Sequence, residues 1–302
     1  MPELPEVETI ANGVHQRVHG QRIAGVWTSG KPQTFKSPEA EIAGALTGAT
    51  IDSVRRVGKT IVMTLRRSPV PSAKARSKKG AGRESPTKGP VEFLIHLGMT
   101  GRLLVSPPEV PLPPHTHAVL TLSPGPGEPA GREVRFVDPR RFGRLSLHKQ
   151  PATDNLQPAT YNGPGREPLT ISLEDFIELF LKRKTPIKAA LLNQSLLHGM
   201  GNIYADESLF RAGIRPRRQA GRLTRDELTR LRKALIDVLR RAIKLGGSSV
   251  SDYVDADGMR GYFQIEHKVY GRAGEPCLTC GIPIRKITVA GRGTHFCPKC
   301  QK

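Results

Sequence analysis

Cysteine is scarce in this chain, and its distribution is uneven. Only four cysteines occur among 302 residues, and all of them lie between positions 277 and 300. This clustering excludes a disulfide framework spread through the fold and favours a metal site near the C-terminus.

Long apolar runs are also missing. No segment approaches the roughly eighteen consecutive apolar residues of a membrane-spanning helix. The N-terminal segment MPELPEVETI carries three glutamates and has neither the basic nor the apolar region of an export signal. We therefore expect an intracellular protein that does not cross a membrane.

Acidic residues are outnumbered by basic ones. The chain has 27 Asp and Glu against 47 Lys and Arg, which gives a formal net charge of +20. A field of this sign attracts polyanions over a long range. Nucleic acid is the leading candidate partner, and an anionic membrane surface is the weaker alternative because no apolar segment could enter it.

The first half of the chain predicts one helix and a β-sandwich. Residues 3–18 form the helix. Short apolar segments bounded by Gly and Pro follow, and such segments are typical of strands in an antiparallel sandwich. The predicted strands are 61–65, 91–97, 103–105, 118–122, 134–137 and 145–147.

Residues 71–89 differ from these strands in composition. They hold six Lys and Arg against one Glu, with several Pro, Ser and Gly and almost no bulky apolar residue. Such a segment cannot bury enough surface to order itself. We expect a flexible basic insertion at the tip of a hairpin.

The second half predicts helices and then a small terminal module. A stretch rich in Pro and Gly, 150–170, indicates a linker. Helices are expected from Ser172, Thr185, Ile203 and Thr224. The second should end at the glycines of HGMGN (198–202), and the last at the glycine pair 246–247. The predicted domains are 1–150, 151–247 and 248–302.

The four cysteines have the spacing of a zinc site. Cys277, Cys280, Cys297 and Cys300 form two C-x2-C pairs separated by sixteen residues. Four thiolates leave zinc no open position, so one structural ion per chain is expected; two disulfides are the alternative. Arg292 and other basic residues lie between the pairs, where they either bind phosphate or form a solvated face.

The N-terminus and a Gly-rich turn are the other candidate sites. Removal of Met1 would give Pro2 a free secondary amine, which can attack a sugar C1′, and Glu3 and Glu6 could then move protons. These residues could equally be a processing signal and a favourable first helical turn. In HGMGN (198–202), Asn202 and the following helix N-terminus could bind a phosphate, although glycines end helices commonly.

Seven blocks of sequence together resemble one known family. They are PELPEVET (2–9), HLGMTG (96–101), DPRRFG (138–143), GNIYADESLFRAGI (201–214), GYF (261–263), VYGR (269–272) and the four-cysteine module. In this order they are similar to the formamidopyrimidine-DNA glycosylases of the MutM type, in the Fpg/Nei family. The resemblance implies an α+β protein with an N-terminal antiparallel β-sandwich, a helix-two-turn-helix domain and a zinc ribbon.

The resemblance also implies a bifunctional enzyme that removes 8-oxoguanine and formamidopyrimidines from damaged duplex DNA and nicks the strand by β,δ-elimination. Pro2 matches the Schiff-base nucleophile, and Glu3 matches the acid that opens the sugar ring. Lys59 matches a lysine that assists β-elimination, and Arg292 matches the arginine linked to phosphate binding and δ-elimination. Glu6 is a supporting acid.

Other positions match residues that contact DNA. Met99, Arg140 and Phe142 match the three residues that fill the gap left by the everted nucleotide. The matched backbone contacts are His115, Arg183, Lys188 and Asn202, and residues 247–261 match the loop over the extruded base. Arg183 stands where lysine is common and keeps the charge. The insertion 71–89 is longer than the matching hairpin.

Two alternative functions remain open at this stage. An endonuclease VIII-like enzyme for oxidised pyrimidines shares the proline, the helical turn and the ribbon, but the PELPE start and the complete gap-filling trio favour purines. A non-catalytic DNA-binding protein on the same scaffold is disfavoured by the presence of Pro2, Glu3, Glu6 and Lys59. The expected protein is a monomer located in the cytoplasm at the nucleoid.

Overall fold

The computed structural model describes residues 1–67, 91–125, 131–148, 160–249 and 255–302. The predicted insertion 71–89, residues 150–159 of the predicted linker and residues 250–254 of the predicted loop 247–261 therefore lie outside the described residues. Within these ranges, none of the helices combines the length and the apolar content needed to cross a membrane.

Two four-stranded antiparallel sheets form the N-terminal part. One sheet has the order β1-β6-β7-β5 and the other the order β2-β3-β4-β8. The elements are α1 (Leu4–Val18), β1 (Ile23–Thr28), α2 (Glu39–Leu46), β2 (Thr50–Val57), β3 (Thr60–Arg66), β4 (Val91–His96), β5 (Arg102–Ser106), β6 (Thr116–Leu122), β7 (Glu133–Val137) and β8 (Arg144–His148). The predicted sandwich, its six strands and the first helix are confirmed; β1, α2 and β2 were not predicted.

Helices form the next part, and a hairpin forms the last. The helices are α3 (Leu173–Phe180), α4 (Ile187–Leu192), α5 (Asn202–Ala212) and α6 (Arg225–Lys244), with 3-10 turns at Ala220–Arg222 and Phe263–Glu266. The hairpin pairs β9 (Arg285–Val289) with β10 (Arg292–Phe296). The expectation that the second helix continues to the glycines of HGMGN is wrong, because α4 ends at Leu192 and residues 193–201 form turns.

Local sequence explains where these helices begin. At α6, the Thr224 hydroxyl accepts a hydrogen bond from the Glu227 N–H, and the Glu227 carboxylate accepts one from the Thr224 N–H, which completes a capping box. Ser172 caps α3 by accepting from the Asp175 N–H. Both starts were predicted from the sequence.

Helix α1 connects the two main hydrophobic cores. Leu4, its first residue, packs in the core of the helical part, whereas Val7, Ile10 and Val14 pack in the core of the sandwich. The N-terminus of the chain is therefore fixed at the junction of the two parts.

An ion-pair network strengthens the same junction. Arg56 of β2 is almost fully buried and donates two hydrogen bonds of 2.9 Å to Glu167, which precedes α3. His198 contacts the same carboxylate at 3.2 Å. These hydrogen bonds hold the pKa of Glu167 at about 2 despite its burial. The β2–β3 turn is thus fixed against the turns before α5.

Candidate active site

A cavity of about 500 Å³ opens where the sandwich, the helices and the β9–β10 hairpin meet. Residues far apart in the sequence line it, and they include Pro2, Glu3, Glu6, Lys59, Asn202 and Arg292. The structure therefore brings together the four residues predicted as catalytic and the supporting acid. Pro2 itself is buried, and Met1 is half exposed at the same cavity.

Glu3 lies against the first turn of α5. Its Oε1 accepts a hydrogen bond of 3.1 Å from the Ile203 N–H, and its Oε2 accepts one of 3.4 Å from the Tyr204 N–H. Position 201 requires glycine, because a Cβ there would lie 2.1 Å from the Glu3 Cδ. These two N–H groups of the helix N-terminus therefore bind a carboxylate of the protein, where the sequence suggested a phosphate.

The environment of Glu3 prepares it for proton transfer. Burial raises the pKa of Glu3 from 4.5 to about 7, although the charge of Lys59 and the two backbone N–H groups oppose this change. The neighbouring Glu6 adds to the increase in the pKa. A carboxyl with a pKa near 7 can donate or accept a proton at neutral pH.

Glu6 is a buried junction between three segments. Its Oε2 accepts a bond of 2.8 Å from the Glu3 N–H. Its Oε1 accepts one from the Tyr204 hydroxyl and one of 2.7 Å from the Ser248 N–H. Burial raises the pKa of this carboxyl as well. Since Ser248 follows α6, Glu6 fixes the N-terminus, α5 and the start of the 247–261 loop together.

Lys59 lies in the turn between β2 and β3. Burial lowers the pKa of Lys59, the nearby Glu3 carboxyl opposes this change, and the charge of Arg292 lowers the pKa further. A lysine with a lowered pKa holds a larger fraction of neutral amine, so Lys59 is suited to accept a proton near Pro2.

Lys188, which is expected to contact DNA, is buried within the protein. Its side chain has 0% exposure and forms an ion pair of 2.7 Å with Asp206. Its Nζ also donates to the Gly293 carbonyl at 3.1 Å and to Thr294 Oγ1 at 2.8 Å. These contacts fix β10 against α4 and α5. The DNA-backbone contact expected of Lys188 stays a prediction.

The same contacts position Arg292. Asn202 donates a bond of 2.9 Å to the Gly293 carbonyl, and the His295 N–H donates one of 2.8 Å to Asp206. Arg292, the first residue of β10, stays exposed at the cavity. Asn202 thus has a bond within the protein in addition to its place in the cavity wall.

The remaining predicted DNA contacts lie on the surface. Met99 is 44% exposed and Phe142 is 53% exposed, which is unusual for large apolar side chains. Arg140 is exposed, and its Nη1 lies 4.0 Å from the Met99 Sδ. His115 and Arg183 are also exposed. These side chains are available to a partner, and Met99 joins the gap-filling trio to the cavity wall.

The four cysteines form the predicted metal cluster. Their Sγ atoms all lie within 4.8 Å of one another. The Cys277 to Cys300 and Cys280 to Cys297 Sγ separations are 3.9 and 3.4 Å. A tetrahedral zinc with Zn–S bonds of about 2.3 Å requires sulfur separations of about 3.8 Å. The cluster therefore fits one structural zinc ion.

Sequence reasoning missed several residues that complete the site. Tyr204 bonds to Glu6, Asp206 neutralises Lys188, and Tyr270 lines the cavity. Two of them lie in GNIYADE, the block in which only Asn202 was selected. A polar residue within a helix that must pack on both sides is the signal that could have identified Asp206.

Comparison with known proteins agrees with this geometry. The profile of the formamidopyrimidine-DNA glycosylase N-terminal domain matches residues 1–145, that of the family's H2TH domain matches 164–254, and a zinc finger found in FPG and IleRS matches 274–302. The formamidopyrimidine-DNA glycosylase of Solibacter usitatus is 41% identical over 303 residues, with full coverage of both chains. This chain belongs to the formamidopyrimidine-DNA glycosylase family.

Solved structures of the formamidopyrimidine-DNA glycosylase family have the same fold. A Lactococcus lactis FPG variant in complex with DNA containing Fapy-dG is 32% identical, with a TM-score of 0.81 and full coverage of both chains. The MutM protein of Thermus thermophilus is 38% identical, with a TM-score of 0.77 over 99% of this chain and 98% of that one. The predictions of family and fold are confirmed.

Proposed function

We propose that this protein removes oxidised purines from duplex DNA and then cuts the strand at the resulting abasic site, as a bifunctional DNA glycosylase and AP lyase. The observation that carries the proposal is the single cavity that gathers Pro2, Glu3, Lys59 and Arg292. Family membership supports it, as does a relative crystallised with DNA that contains Fapy-dG.

The chemistry follows from the charges and pKa values in the cavity. After Met1 is removed, the Pro2 nitrogen attacks the sugar C1′, and the bond from C1′ to the damaged base breaks as the new C–N bond forms. The proton that the Pro2 nitrogen then loses neutralises the departing base. Protonated Glu3 donates its proton to the ring oxygen, the ring opens, and an iminium ion remains. Glu3 suits this step because its pKa is about 7.

Strand cleavage follows from the iminium ion. The iminium makes the C2′ proton acidic, and removal of that proton expels the 3′ phosphate. Lys59 accepts the proton in this proposal, and the lowering of its pKa by burial supports that role. Arg292 would hold a phosphate oxygen during this β-elimination and during the δ-elimination that follows it.

DNA is bound by the surface residues around the cavity. Met99, Arg140 and Phe142 fill the gap left by the everted nucleotide, which offsets an unstacking cost of a few kcal/mol. His115 and Arg183 contact the DNA backbone. The zinc supplies no chemistry; bound by the four cysteines, it folds the ribbon that presents Arg292.

The proposal extends to organisation and location. The proposed mechanism uses residues of one chain only, and we propose that the enzyme acts as a monomer. The divisions 1–150, 151–247 and 248–302 correspond broadly to the three matched profiles. An enzyme that repairs chromosomal DNA would act in the cytoplasm at the nucleoid.

Oxidised pyrimidines are a second candidate substrate. A Lactococcus lactis FPG of 31% identity has been crystallised with DNA containing an oxidised pyrimidine. Lactococcus lactis FPG has therefore been crystallised with DNA of both lesion classes.

Single-turnover excision tests the proposal. The full chain is incubated with duplexes that carry 8-oxoguanine or a formamidopyrimidine opposite cytosine, or dihydrouracil opposite guanine. Pro2→Gly serves as the control. We expect rapid excision of both purine lesions and at least tenfold slower excision of dihydrouracil. Faster excision of dihydrouracil would favour the pyrimidine enzyme, and binding without excision would leave only the non-catalytic alternative.

A further inference from the structure

The three exposed residues proposed to enter the duplex come from two separate loops. Met99 lies in the loop 97–101 between β4 and β5, whereas Arg140 and Phe142 lie in the loop 138–143 between β7 and β8. We call these two segments the wedge loops. To fill one gap in DNA together, they must keep a fixed distance from each other.

The wedge loops pack backbone against backbone. A Cβ at Gly98 would lie 2.5 Å from both the Gly143 nitrogen and the Phe142 carbonyl carbon. A Cβ at Gly143 would lie 2.5 Å from the Phe136 ring. Only glycine fits at either position. This close approach leaves no room for water between the loops, so any polar group there needs a partner within the protein.

Asp138 supplies those partners. It has 0% exposure and directly follows β7. Its Oδ1 accepts a hydrogen bond of 2.5 Å from the Thr100 hydroxyl, which belongs to the first wedge loop. Its Oδ2 accepts one of 2.7 Å from the Gly143 N–H, and Oδ1 accepts a longer one of 3.3 Å from the Arg140 N–H, both in the second loop.

The backbone of Asp138 extends the connection to a third segment. Its N–H donates a bond of 3.0 Å to the carbonyl of His115, and its own carbonyl contacts the ring of His117 at 3.0 Å. His115 has a left-handed backbone with φ of 66°. Asp138 therefore contacts every described segment that presents a gap-filling residue and one that presents a proposed backbone contact.

A carboxylate is the group that suits this position. All three donors to its side chain are hydroxyl or backbone N–H groups, and a carboxylate has only acceptor atoms. An amide would keep one acceptor and turn two N–H donors toward a neighbouring donor. Hydrogen bonds to a carboxylate are also about twice as strong as those between neutral groups. This strength suits a link that must hold the two loops together while they enter the duplex.

We propose that Asp138 is a positioning residue that couples the two wedge loops, so that Met99, Arg140 and Phe142 enter the duplex as one rigid unit. This inference rests on the proposed function. Asp138 does not touch the reacting atoms. Replacing Asp138 should slow base excision from duplex DNA, which needs the wedge loops to enter the duplex. It should not slow cleavage at an abasic sugar that is already exposed.

Two variants test the coupling. Asp138→Asn keeps the shape but replaces one of the two acceptor oxygens by an NH2 donor. Thr100→Val removes only the bond between the loops, and Thr100→Ser retains the hydroxyl as a matched control. Arg140→Ala provides the reference for lost recognition of the opposite base. Each variant is assayed for excision of 8-oxoguanine opposite cytosine and opposite adenine, and for cleavage of a preformed abasic site in single-stranded DNA.

The expected effects differ between the assays. Losing a bond to a charged group should slow 8-oxoguanine excision about 10- to 100-fold in Asp138→Asn and about 5- to 10-fold in Thr100→Val. The preference for cytosine should move toward that of Arg140→Ala. Cleavage of the single-stranded abasic site should stay within about twofold of wild type, and Thr100→Ser should restore excision.

Several outcomes would overturn the inference. Equal losses in all assays would indicate a general defect, and unchanged excision and base preference in Thr100→Val would show that the loops need no such link. If Asp138→Asn does not fold, as judged by circular dichroism, Thr100→Val decides alone. Wild-type protein that fails to excise 8-oxoguanine would contradict the proposed function and this inference together, whereas active wild type with a normal Thr100→Val contradicts the inference only.

Discussion

Replacing Glu3 by glutamine should change the stability of the protein in a way that depends on pH. The Glu3 carboxyl ionises near pH 4.5 when exposed, but burial raises its pKa in the folded protein to about 7. Between these values the folded state binds a proton that the unfolded state has lost, so the free energy of unfolding falls as pH rises. Above about pH 7 the loss is complete.

The size of this effect follows from the two pKa values. Raising the pKa from 4.5 to about 7 corresponds to about 3 kcal/mol at about 1.36 kcal/mol per pKa unit. Glutamine avoids this loss because it does not ionise, but it cannot accept from both Ile203 and Tyr204. That costs about 1 kcal/mol, since the Tyr204 bond is long at 3.4 Å. Glu3→Gln should therefore be about 2 kcal/mol more stable than wild type at pH 8.

Thermal unfolding at pH 5 and pH 8 measures this difference. Glu109→Gln is the matched control, because Glu109 is exposed on the loop after β5. We expect Glu3→Gln to raise Tm by several degrees at pH 8 and to leave it unchanged or slightly lower at pH 5. The control should follow wild type at both pH values.

The pH dependence of base excision is a second test of whether Glu3 is protonated. If protonated Glu3 opens the sugar ring, wild-type base excision should fall about tenfold per pH unit above about pH 7, and Glu3→Gln should lose excision at every pH. A Glu3→Gln protein whose stability relative to wild type is the same at pH 5 and pH 8 would refute the buried, protonated state of Glu3.

The other predictions concern the ribbon, the buried ion pair and the insertion. Cys280→Ser should lower the zinc content and weaken DNA binding, because the ribbon folds around its ion; metal analysis and gel shifts check this, and normal binding without zinc would contradict it. Lys188→Met should cost about 3 to 5 kcal/mol of stability by leaving Asp206 buried without its cation, measured by urea unfolding, and a loss below about 1 kcal/mol would contradict the buried pair. Replacing residues 71–89 by a short Gly-Ser turn should weaken the salt dependence of binding to undamaged duplex. The slope of log affinity against log salt concentration should fall in magnitude by roughly 2 to 4, and an unaltered slope would exclude DNA contact by this segment.

The fold was largely predictable where local patterns are strong. Alternating apolar segments between turns located six strands, and the cysteine spacing located the ribbon. β1 and β2 were missed because Gly25 interrupts one pattern and charged residues dilute the other. Helix α2 was missed because its eight residues bury only Ile42 and Leu46.

Chemical reasoning suggested Pro2, Glu3 and Glu6, but the complete site was predictable only through the resemblance. Pro2, Lys59 and Arg292 meet in one cavity although no rule of spacing connects them. The buried ion pair of Lys188 could not be predicted from the sequence, because lysine is almost always exposed and its partner Asp206 lies on another helix. Asp138 belongs to the DPRRFG block, but only its hydrogen bonds to both wedge loops indicate its role.

Reductive trapping of Pro2 tests the proposed mechanism most directly. The protein lacking Met1 is incubated with 8-oxoguanine duplex and borohydride, which reduces the iminium to a stable amine, and the cross-linked peptide is identified by mass spectrometry. We predict that the DNA is attached at Pro2, and that Pro2→Gly traps far less DNA while still binding an abasic duplex. Attachment at Lys59, or trapping by Pro2→Gly as efficient as that of wild type, would show that Pro2 is not the nucleophile.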